Sequence, residues 1–270
     1  MNYNDSKAQA IQFKHVDFKI SEQYHRKSSQ KIIHFVYIYR SQFKSNSLFK
    51  KLKAWKYIVA VWMTIVIIAG FLIPIPEIAI LEQTARNLFL HVPMWFTMMV
   101  AFVMAFYYSI RYLNDEHLDW DIKAETATAV GLVFGICGLL TGSLWAKFTW
   151  GTWWTFSEPR MNLSALAMLI FVAYFVLRTA FNDREKRAKI SAIYNIFGVT
   201  TIPFLLYIIP RQLPSLHPGA DGNPAFSDMT APELRLIFYP AVIGFIGLAI
   251  WMMDIVKRYK RLQLIISDKL

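Results

Sequence analysis

Six long apolar blocks without a charged residue constrain the fold of this chain more than any other feature. A charged side chain at the centre of a membrane helix costs about 2.5–3.5 kcal/mol, and a helix needs about 17–25 residues to cross the hydrocarbon. The blocks meet both conditions and are apolar on every face, unlike the helices of a soluble bundle. The sequence therefore predicts an all-α integral membrane protein with six transmembrane helices. The blocks are residues 57–75, 88–110, 126–145, 161–177, 190–210 and 236–253.

The overall composition agrees with this class. Hydrophobic residues make up 56% of the chain and charged residues only 17%, whereas about a quarter of a soluble domain is charged. The fourth block is the shortest. We expect its helix to continue through Arg178, with the guanidinium snorkelling towards the headgroups.

The basic residues predict the orientation of the six spans. With an even number of spans both termini lie on one side, and 24 of the 29 lysines and arginines fall on that side. The positive-inside rule then places both termini in the cytoplasm. The 111–125 loop is acidic, but acidic residues weigh little in this rule. The net charge of +11 needs no nucleic-acid partner, because basic juxtamembrane tails are attracted to anionic lipid headgroups.

The chain divides into three predicted regions. Residues 1–53 form a polar, basic and poorly ordered extension, with a short amphipathic helix around 31–43. Residues 54–258 form the six-span membrane domain, and residues 259–270 form a cytoplasmic tail. The histidines of the extension have no metal-ligand spacing; they are His15, His25 and His34.

Several kinds of chemistry are excluded by missing motifs. The single cysteine, Cys137, lies between apolar neighbours in the third block, where a thiol is a small packing residue. An intrachain disulfide, a C-x-x-C redox pair and a C-x-x-C-H haem attachment site cannot form. The sequence also lacks a P-loop, a G-x-G-x-x-G loop and a G-x-S-x-G elbow. We therefore expect a protein that is not an enzyme, and ATP-driven work would need a partner.

Tryptophans are concentrated between the third and fourth blocks. Segment 145–160 is too polar for a core and, with Gly151 and Pro159, too irregular for a helix. An aromatic belt would distribute its rings over all the helix ends, whereas this short segment holds four of the chain's nine tryptophans. They are Trp145, Trp150, Trp153 and Trp154.

Two histidines share the extracytoplasmic side with these rings. His91 opens the second block and His217 lies in the longest outer loop, whereas His117 lies in the acidic cytoplasmic loop and is expected to be solvated. Taken singly, His91 suits an interfacial capping residue and His217 a plain loop residue. Imidazoles also supply axial ligands to haem iron, and each tryptophan can remove a large apolar area from water. Together the pattern favours a flat, apolar, iron-centred ligand.

The motifs around these residues resemble a known family. The stretch "GSLWAKFTWGTWWTFSEPRMNLSALAMLIF" (142–171) is similar to the tryptophan-rich signature of the haem-handling family of cytochrome c maturation. That family contains the haem exporter protein C (CcmC) and the cytochrome c synthases (CcsA). "LHVP" (90–93) and "SLHPG" (215–219) resemble its two histidine motifs, and six spans favour the CcmC branch. The signature positions that match are Gly142, Ser143, Trp145, Ala146, Lys147, Trp150, Gly151, Trp153, Trp154 and Arg160.

The chain departs from the family pattern in one turn. Where the family has Trp-Asp after the paired aromatic residues, this sequence reads "TFSEPR". Phe156 stands near the position of the last tryptophan, and Glu158 replaces the aspartate with a shift of one residue. An aromatic ring and a carboxylate are both kept, although the register of the turn differs.

The resemblance implies transfer of haem without covalent catalysis. It implies a bacterial inner-membrane protein that binds haem b transiently as cargo at the outer face and passes it to a periplasmic haem chaperone (CcmE). The implied partners are a small single-span subunit (CcmD) and an ABC-type pair (CcmAB). His91 and His217 would be the axial iron ligands, and Lys147 and Arg160 would contact haem propionates or chaperone carboxylates. The residues expected to contact the porphyrin are Trp145, Trp150, Trp153, Trp154 and Phe156.

Three other functions were considered. A cytochrome c synthase of the CcsA type remains an alternative within the same family. A respiratory b-type haem subunit would need histidines at mid-span on facing helices, and no block has one at its centre. A secondary transporter would show buried charges or broken helices near the midplane, for which Pro74, Pro76 and Pro203 are the only indications.

Overall fold

The computed structural model describes residues 46–75, 82–217 and 232–267. Most of the predicted extension, including the proposed amphipathic helix at 31–43, lies outside these residues. The described chain is built from six long helices and three short turns of other helix types. The helices are α1 (Asn46–Leu72), α2 (Leu88–Asp115), α3 (Leu118–Trp150), α4 (Pro159–Thr179), α5 (Arg184–Pro203) and α6 (Pro232–Ser267); the short turns are 3₁₀ at Glu82–Asn87, π at Phe204–Ile208 and 3₁₀ at Ile209–Arg211.

Each predicted apolar block lies largely on one of these helices, the fifth block continuing from α5 through the π and 3₁₀ turns. All six spans are long and apolar enough to cross a membrane. The prediction of a six-span all-α membrane protein is therefore confirmed. The helices extend beyond the uncharged blocks, because a helix continues into the headgroup region where charged side chains are tolerated. One consequence concerns the tryptophan segment, which was expected to be irregular after the third block ends at Trp145. Residues 146–150 also belong to α3, which ends at Trp150 with Gly151 as its C-cap.

The chain forms two compact units, residues 1–57 and 58–270. The first is described only from residue 46 onwards, as the beginning of α1. In the second, α2 packs against α3, α5 and α6 around a core of apolar side chains. Phe102 of α2 and Phe171 of α4 stack there, with ring centroids 3.8 Å apart. Many large apolar side chains face outwards instead, as expected of helices surrounded by lipid.

Three polar side chains from different helices contact one another inside the bundle. Asn195 of α5 is fully buried; its amide nitrogen donates to Ser109 Oγ at 2.9 Å. The hydroxyl of Thr128 on α3 lies 3.3 Å from Asn195 Oδ1. An unpaired polar group in hydrocarbon is costly, so these contacts fix α2, α3 and α5 against each other.

The fourth helix continues through Arg178, as expected, but the expected snorkelling of its side chain is wrong. Its guanidinium is only 7% exposed and forms a bidentate contact with Asp121, at 2.7 Å to Oδ1 and 2.9 Å to Oδ2. Nη2 also donates to Glu125 Oε2 at 3.1 Å, and Lys260 Nζ lies 2.6 Å from Glu125 Oε1. The acidic residues before the third block therefore neutralise cations of α4 and α6.

The helix ends define two faces. The terminal face is the side where α2 ends, α3 begins, α4 ends and α5 begins; the loop face is the opposite side, where α3 ends and α4 begins. The Arg178 ion pairs lie at the terminal face. The tryptophan segment and His217 lie at the loop face.

Replacing Arg178 by Gln should destabilise the protein strongly. The change leaves Asp121 buried without its cation, and breaking a buried ion pair in this way costs about 3–5 kcal/mol. Arg258→Gln is the matched control, because Arg258 pairs with Asp254 at the surface, where such pairs contribute less than about 1 kcal/mol. Unfolding in detergent measures both variants. Equal losses of stability would contradict the structural role assigned to Arg178.

Candidate functional site

A cavity of about 330 Å³ at the loop face is lined by both outer histidines and by three of the four tryptophans of segment 145–160. Its walls come from the start of α2, the end of α3, the start of α4 and the segment that follows α5. Six of the residues singled out in the sequence line it. They are His91, His217, Trp145, Trp150, Trp154 and Arg160, and their neighbours in the wall include Trp95, Met99, Tyr207 and Arg211.

Two glycines allow α3 to approach the histidine side of α2. A Cβ at Gly142 would lie 2.7 Å from Cε1 of His91, and a Cβ at Gly138 would lie 2.8 Å from Cε2 of Trp95. Carbon atoms in contact are normally about 3.5–4.0 Å apart. The spacing of four residues places both glycines on one face of α3. The His91 and Trp95 rings therefore occupy space that only glycine leaves free.

The hydrogen bonds of His91 determine which ring nitrogen carries the proton. The Thr141 hydroxyl has a single hydrogen, which it directs to the Cys137 carbonyl at 2.9 Å or the Gly138 carbonyl at 3.1 Å. Nδ1 of His91, 3.1 Å from Thr141 Oγ1, is then the donor in that contact. Trp95 Nε1 donates to Nε2 at 3.3 Å. The neutral ring is thus protonated on Nδ1, and the lone pair of Nε2 is available as a ligand.

The tryptophan segment is shaped by the end of α3. Gly151 has φ +76°, a left-handed conformation that favours glycine at a helix C-terminus. Lys147 Nζ donates to the Gly151 carbonyl at 3.0 Å, and Ser143 Oγ donates to the Trp153 carbonyl. The chain turns back on itself here, and the rings of Trp145 and Trp150 meet edge to face at 5.3 Å.

Glu158 joins the tryptophan segment to the segment that carries His217. Its side chain is fully buried; Oε1 accepts from Ser215 Oγ at 2.7 Å, and Oε2 accepts from the Leu216 amide at 2.7 Å. Oε1 also caps α4 by accepting from the Arg160 amide at 3.2 Å. Ser215 Oγ in turn accepts from the His217 amide at 3.1 Å. A buried carboxylate is stable only with such donors, so this group holds the 215–217 segment against α4.

Arg160 controls the orientation of His217. Its Nη1 lies 3.2 Å from His217 Nδ1, and a guanidinium can only donate. Nδ1 is therefore an acceptor, and the neutral ring carries its proton on Nε2, the opposite arrangement to His91. The ring of Trp145 lies beside the imidazole, with centroids 6.0 Å apart. The two histidines thus line one cavity in different tautomers.

Four of the predicted site residues lie outside the cavity wall. Trp153 is 55% exposed and Phe156 is 89% exposed, and neither ring lines the cavity. Lys147 is engaged with the backbone of Gly151, and Glu158 is buried beneath the 215–217 segment. The porphyrin-contact role expected of Trp153 and Phe156, and the carboxylate-binding role expected of Lys147, stay predictions.

Sequence reasoning missed several residues that position the site. Trp95 lies one turn after His91 on the same face of α2, a spacing visible in the sequence but attributed to the transmembrane block. Asn162 orients the tryptophan segment, because its Oδ1 accepts from Trp154 Nε1 at 3.2 Å and its Nδ2 donates to the Phe156 carbonyl at 2.7 Å. Tyr207 lies in the π-helical turn after Pro203. Only Pro203 indicated that this helix is broken.

The two imidazoles of the cavity suit an iron whose other ligands come from a porphyrin. In residues 46–75, 82–217 and 232–267, no group of three or more His, Cys, Asp or Glu side chains could hold a metal ion. The cavity offers two imidazoles, and a porphyrin supplies the other iron ligands itself. Its remaining walls are mainly aromatic and aliphatic, as in pockets for flat organic ligands.

Comparisons with known proteins give a consistent result. The profile of a family described as "Heme exporter protein C" matches residues 36–267. Proteins of that name are similar to this chain in Paracoccus denitrificans (27% identity, 60% of this chain and 67% of the relative), Escherichia coli K12 (29%, 61% and 65%) and Haemophilus influenzae (30%, 56% and 61%). The aligned part of the chain thus spans about two thirds of these relatives. The matched region begins within the predicted N-terminal extension (1–53) and covers the whole six-span domain.

Replacing Glu158 by Gln should loosen the 215–217 segment. The amide presents a donor where the carboxylate accepts, so at least one of its three contacts is lost. A hydrogen bond to a charged group contributes about 1.5–3 kcal/mol. Hydrogen exchange at the Leu216 amide should therefore accelerate by about 10–100-fold, since 1.4 kcal/mol corresponds to tenfold.

Glu233→Gln is the matched control, because Glu233 is an exposed carboxylate at the beginning of α6. Its exchange pattern at Leu216 should equal that of the unmodified protein. An unchanged rate at Leu216 in Glu158→Gln would show that the carboxylate does not hold this segment.

Proposed function

The chain belongs to the heme exporter protein C family, and on that premise we propose that it binds haem at the extracytoplasmic membrane face and delivers it to a periplasmic haem chaperone during c-type cytochrome biogenesis. The proposal concerns handling of haem b as a transient cargo, without covalent catalysis or ATP hydrolysis by this chain. The observation that carries it is the meeting of His91 and His217 in one tryptophan-walled cavity.

Aromatic walls supply the affinity expected for a porphyrin. Trp145, Trp150 and Trp154 line the cavity, and a tryptophan buries up to about 250 Å². At about 25 cal/mol per Å², covering even part of these rings contributes several kcal/mol. The volume of about 330 Å³ lies within the range of about 300–1,000 Å³ typical of ligand pockets.

His91 already has the tautomer that an axial iron ligand needs, with its proton on Nδ1. Its Nδ1 donates to Thr141, the kind of outer contact that fixes tautomer and ring orientation in metal-binding histidines. Nε2, with its lone pair, meets only the weak donor contact from Trp95 at 3.3 Å. Iron would replace that contact, and the Trp95 ring would shift to make room.

His217 requires a rearrangement before it can bind iron through Nε2. That atom carries the proton as long as Arg160 donates to Nδ1. A haem propionate is a stronger acceptor for a guanidinium than an imidazole is, because charge-assisted pairs are the strongest hydrogen bonds. We assign Arg160 to a propionate. Once Arg160 no longer donates to Nδ1 of His217, the ring proton could move from Nε2 to Nδ1. The lone pair of Nε2 would then be available to bind iron.

Arg211 provides a second cation at the cavity wall. Its guanidinium lies over the Tyr207 ring at 4.6 Å. Haem carries two propionates, so Arg160 and Arg211 together match its charge. Lys147 lies outside the cavity wall, and its contact with a propionate or a chaperone carboxylate stays a prediction.

Delivery of haem requires a surface that the chaperone can reach. Trp153 and Phe156 are the exposed rings of the tryptophan segment, and they lie next to the cavity wall in sequence. We assign them to contacts with a chaperone of the CcmE type. A single-span CcmD-like subunit and an ABC-type CcmAB-like pair complete the proposed assembly, which would supply the energy that this chain lacks.

We place the loop face in the periplasm and both termini in the cytoplasm of a bacterial inner membrane. The distribution of lysines and arginines supports this orientation. The position of His91 in the first turn of α2 favours a haem at the membrane surface over the mid-span haem of a respiratory b-type subunit. A cytochrome c synthase would use the same face, and the six spans favour the haem exporter.

Removing either cavity histidine should weaken haem binding. His91→Ala and His217→Ala should each lower the affinity for added haem by at least about 10-fold. Removing a residue that only orients a metal ligand already lowers metal affinity by about 10–100-fold, and a direct ligand contributes more. The Soret band of the purified protein, titrated with haem, measures the effect.

The matched control is His117→Asn. His117 caps α3 by accepting from the Asp119 amide at 3.2 Å, and asparagine is an equally good cap. This variant should bind haem normally. If the double variant lacking His91 and His217 kept its full affinity for haem, the assignment of the axial ligands would be wrong.

A further inference from the structure

A second cavity lies at the terminal face, away from the tryptophan segment. Its volume is about 710 Å³, and it is enclosed by the start of α3, the end of α4, the start of α5 and the end of α6. The proposed haem function does not involve it. Its charged lining residues are Asp121, Glu125, Arg178, Arg184, Arg187 and Lys260.

The charges in this cavity do not cancel. Arg178 binds both carboxylates, and Lys260 also pairs with Glu125, so these four side chains are neutral together. Arg184 and Arg187 add two positive charges from the first turns of α5. The cavity wall as a whole therefore attracts an anion.

Arg187 shows where an anion would bind. Its Nε is buried and has no hydrogen-bond partner among the described residues. A buried donor without an acceptor is rare in folded proteins and calls for a missing partner. A phosphate is the group that a guanidinium recognises best, because its oxygens match the planar fork of donors.

The other side of the cavity is apolar. Leu118, Ile122 and Phe175 face it together with residues near the end of α6. A basic group beside an apolar wall, at the ends of membrane helices, matches a phospholipid at headgroup depth. A free phosphate ion would leave this wall uncovered.

We propose that this cavity binds the phosphate of an anionic membrane lipid, with Arg187 as its direct contact and the apolar wall covered by the acyl chains. The lipid would fasten α5 to α3 and α6 at the face opposite the histidines.

Lipid binding to the purified full-length chain tests the proposal. Native mass spectrometry and thermal unfolding in detergent would compare phosphatidylglycerol with phosphatidylcholine. Phosphatidylglycerol should bind and raise the melting temperature, and Arg187→Gln should weaken its binding about tenfold, the loss of one charge-assisted hydrogen bond. Arg187→Lys keeps the charge but lacks the Nε donor and the planar fork, so it should bind phosphatidylglycerol more weakly than the unmodified protein and more strongly than Arg187→Gln.

Arg258→Gln is the control, since Arg258 lies on α6 at the same face but outside the cavity and pairs with Asp254. It should bind phosphatidylglycerol as the unmodified protein does. Equal binding of both lipids, or unchanged binding in Arg187→Gln, would overturn the proposal. Inorganic phosphate that alone raises the melting temperature as much as the lipid would overturn the assignment to a lipid. Haem titration reports on the opposite face and should be unaffected by Arg187→Gln, so this test stands apart from the proposed function.

Discussion

The buried carboxylate of Glu158 is the interaction on which the outer site depends. It closes the tryptophan segment by capping α4 and holds the 215–217 segment through Ser215 and the Leu216 amide. The segment that it holds carries His217, which lines the same cavity as His91. Three donors are needed because a carboxylate removed from water is stable only when its oxygens are satisfied. The Glu158 side chain thus holds the tryptophan segment and the 215–217 segment together in one cavity wall.

Pairing of polar groups governs the opposite face as well. In a membrane, every buried charge needs a partner, and Arg178 finds two in Asp121 and Glu125. This network fixes α4 against α3 at one face, just as Glu158 fixes α4 against the histidine segment at the other. Between them the bundle is held by apolar packing and by the Asn195 contacts. The site is therefore placed by a rigid helix, α4, anchored at both ends.

Much of this arrangement follows from the sequence, and the reasons for the exceptions are physical. The six spans are visible because charges are excluded from hydrocarbon, and His91 and His217 stand out because they are the two histidines that the predicted topology places on the side of the tryptophan segment. The helical state of residues 146–150 was missed because α3 continues past the third apolar block until Gly151 caps it. Asp121 and Glu125 lie 57 and 53 residues from Arg178, and Ser215 and Leu216 lie 57 and 58 residues from Glu158. Local patterns carry no information about such contacts, and the outward direction of Trp153 and Phe156 depends on them.

The central claim is that His91 and His217 bind one haem iron from opposite sides. Electron paramagnetic resonance of the purified protein loaded with ferric haem tests it most directly, because the spin state reports the axial ligands. The account predicts a low-spin signal typical of two imidazole ligands, which disappears when either histidine is replaced by alanine. A high-spin signal in the unmodified protein, or a low-spin signal that survives the loss of both histidines, would contradict it.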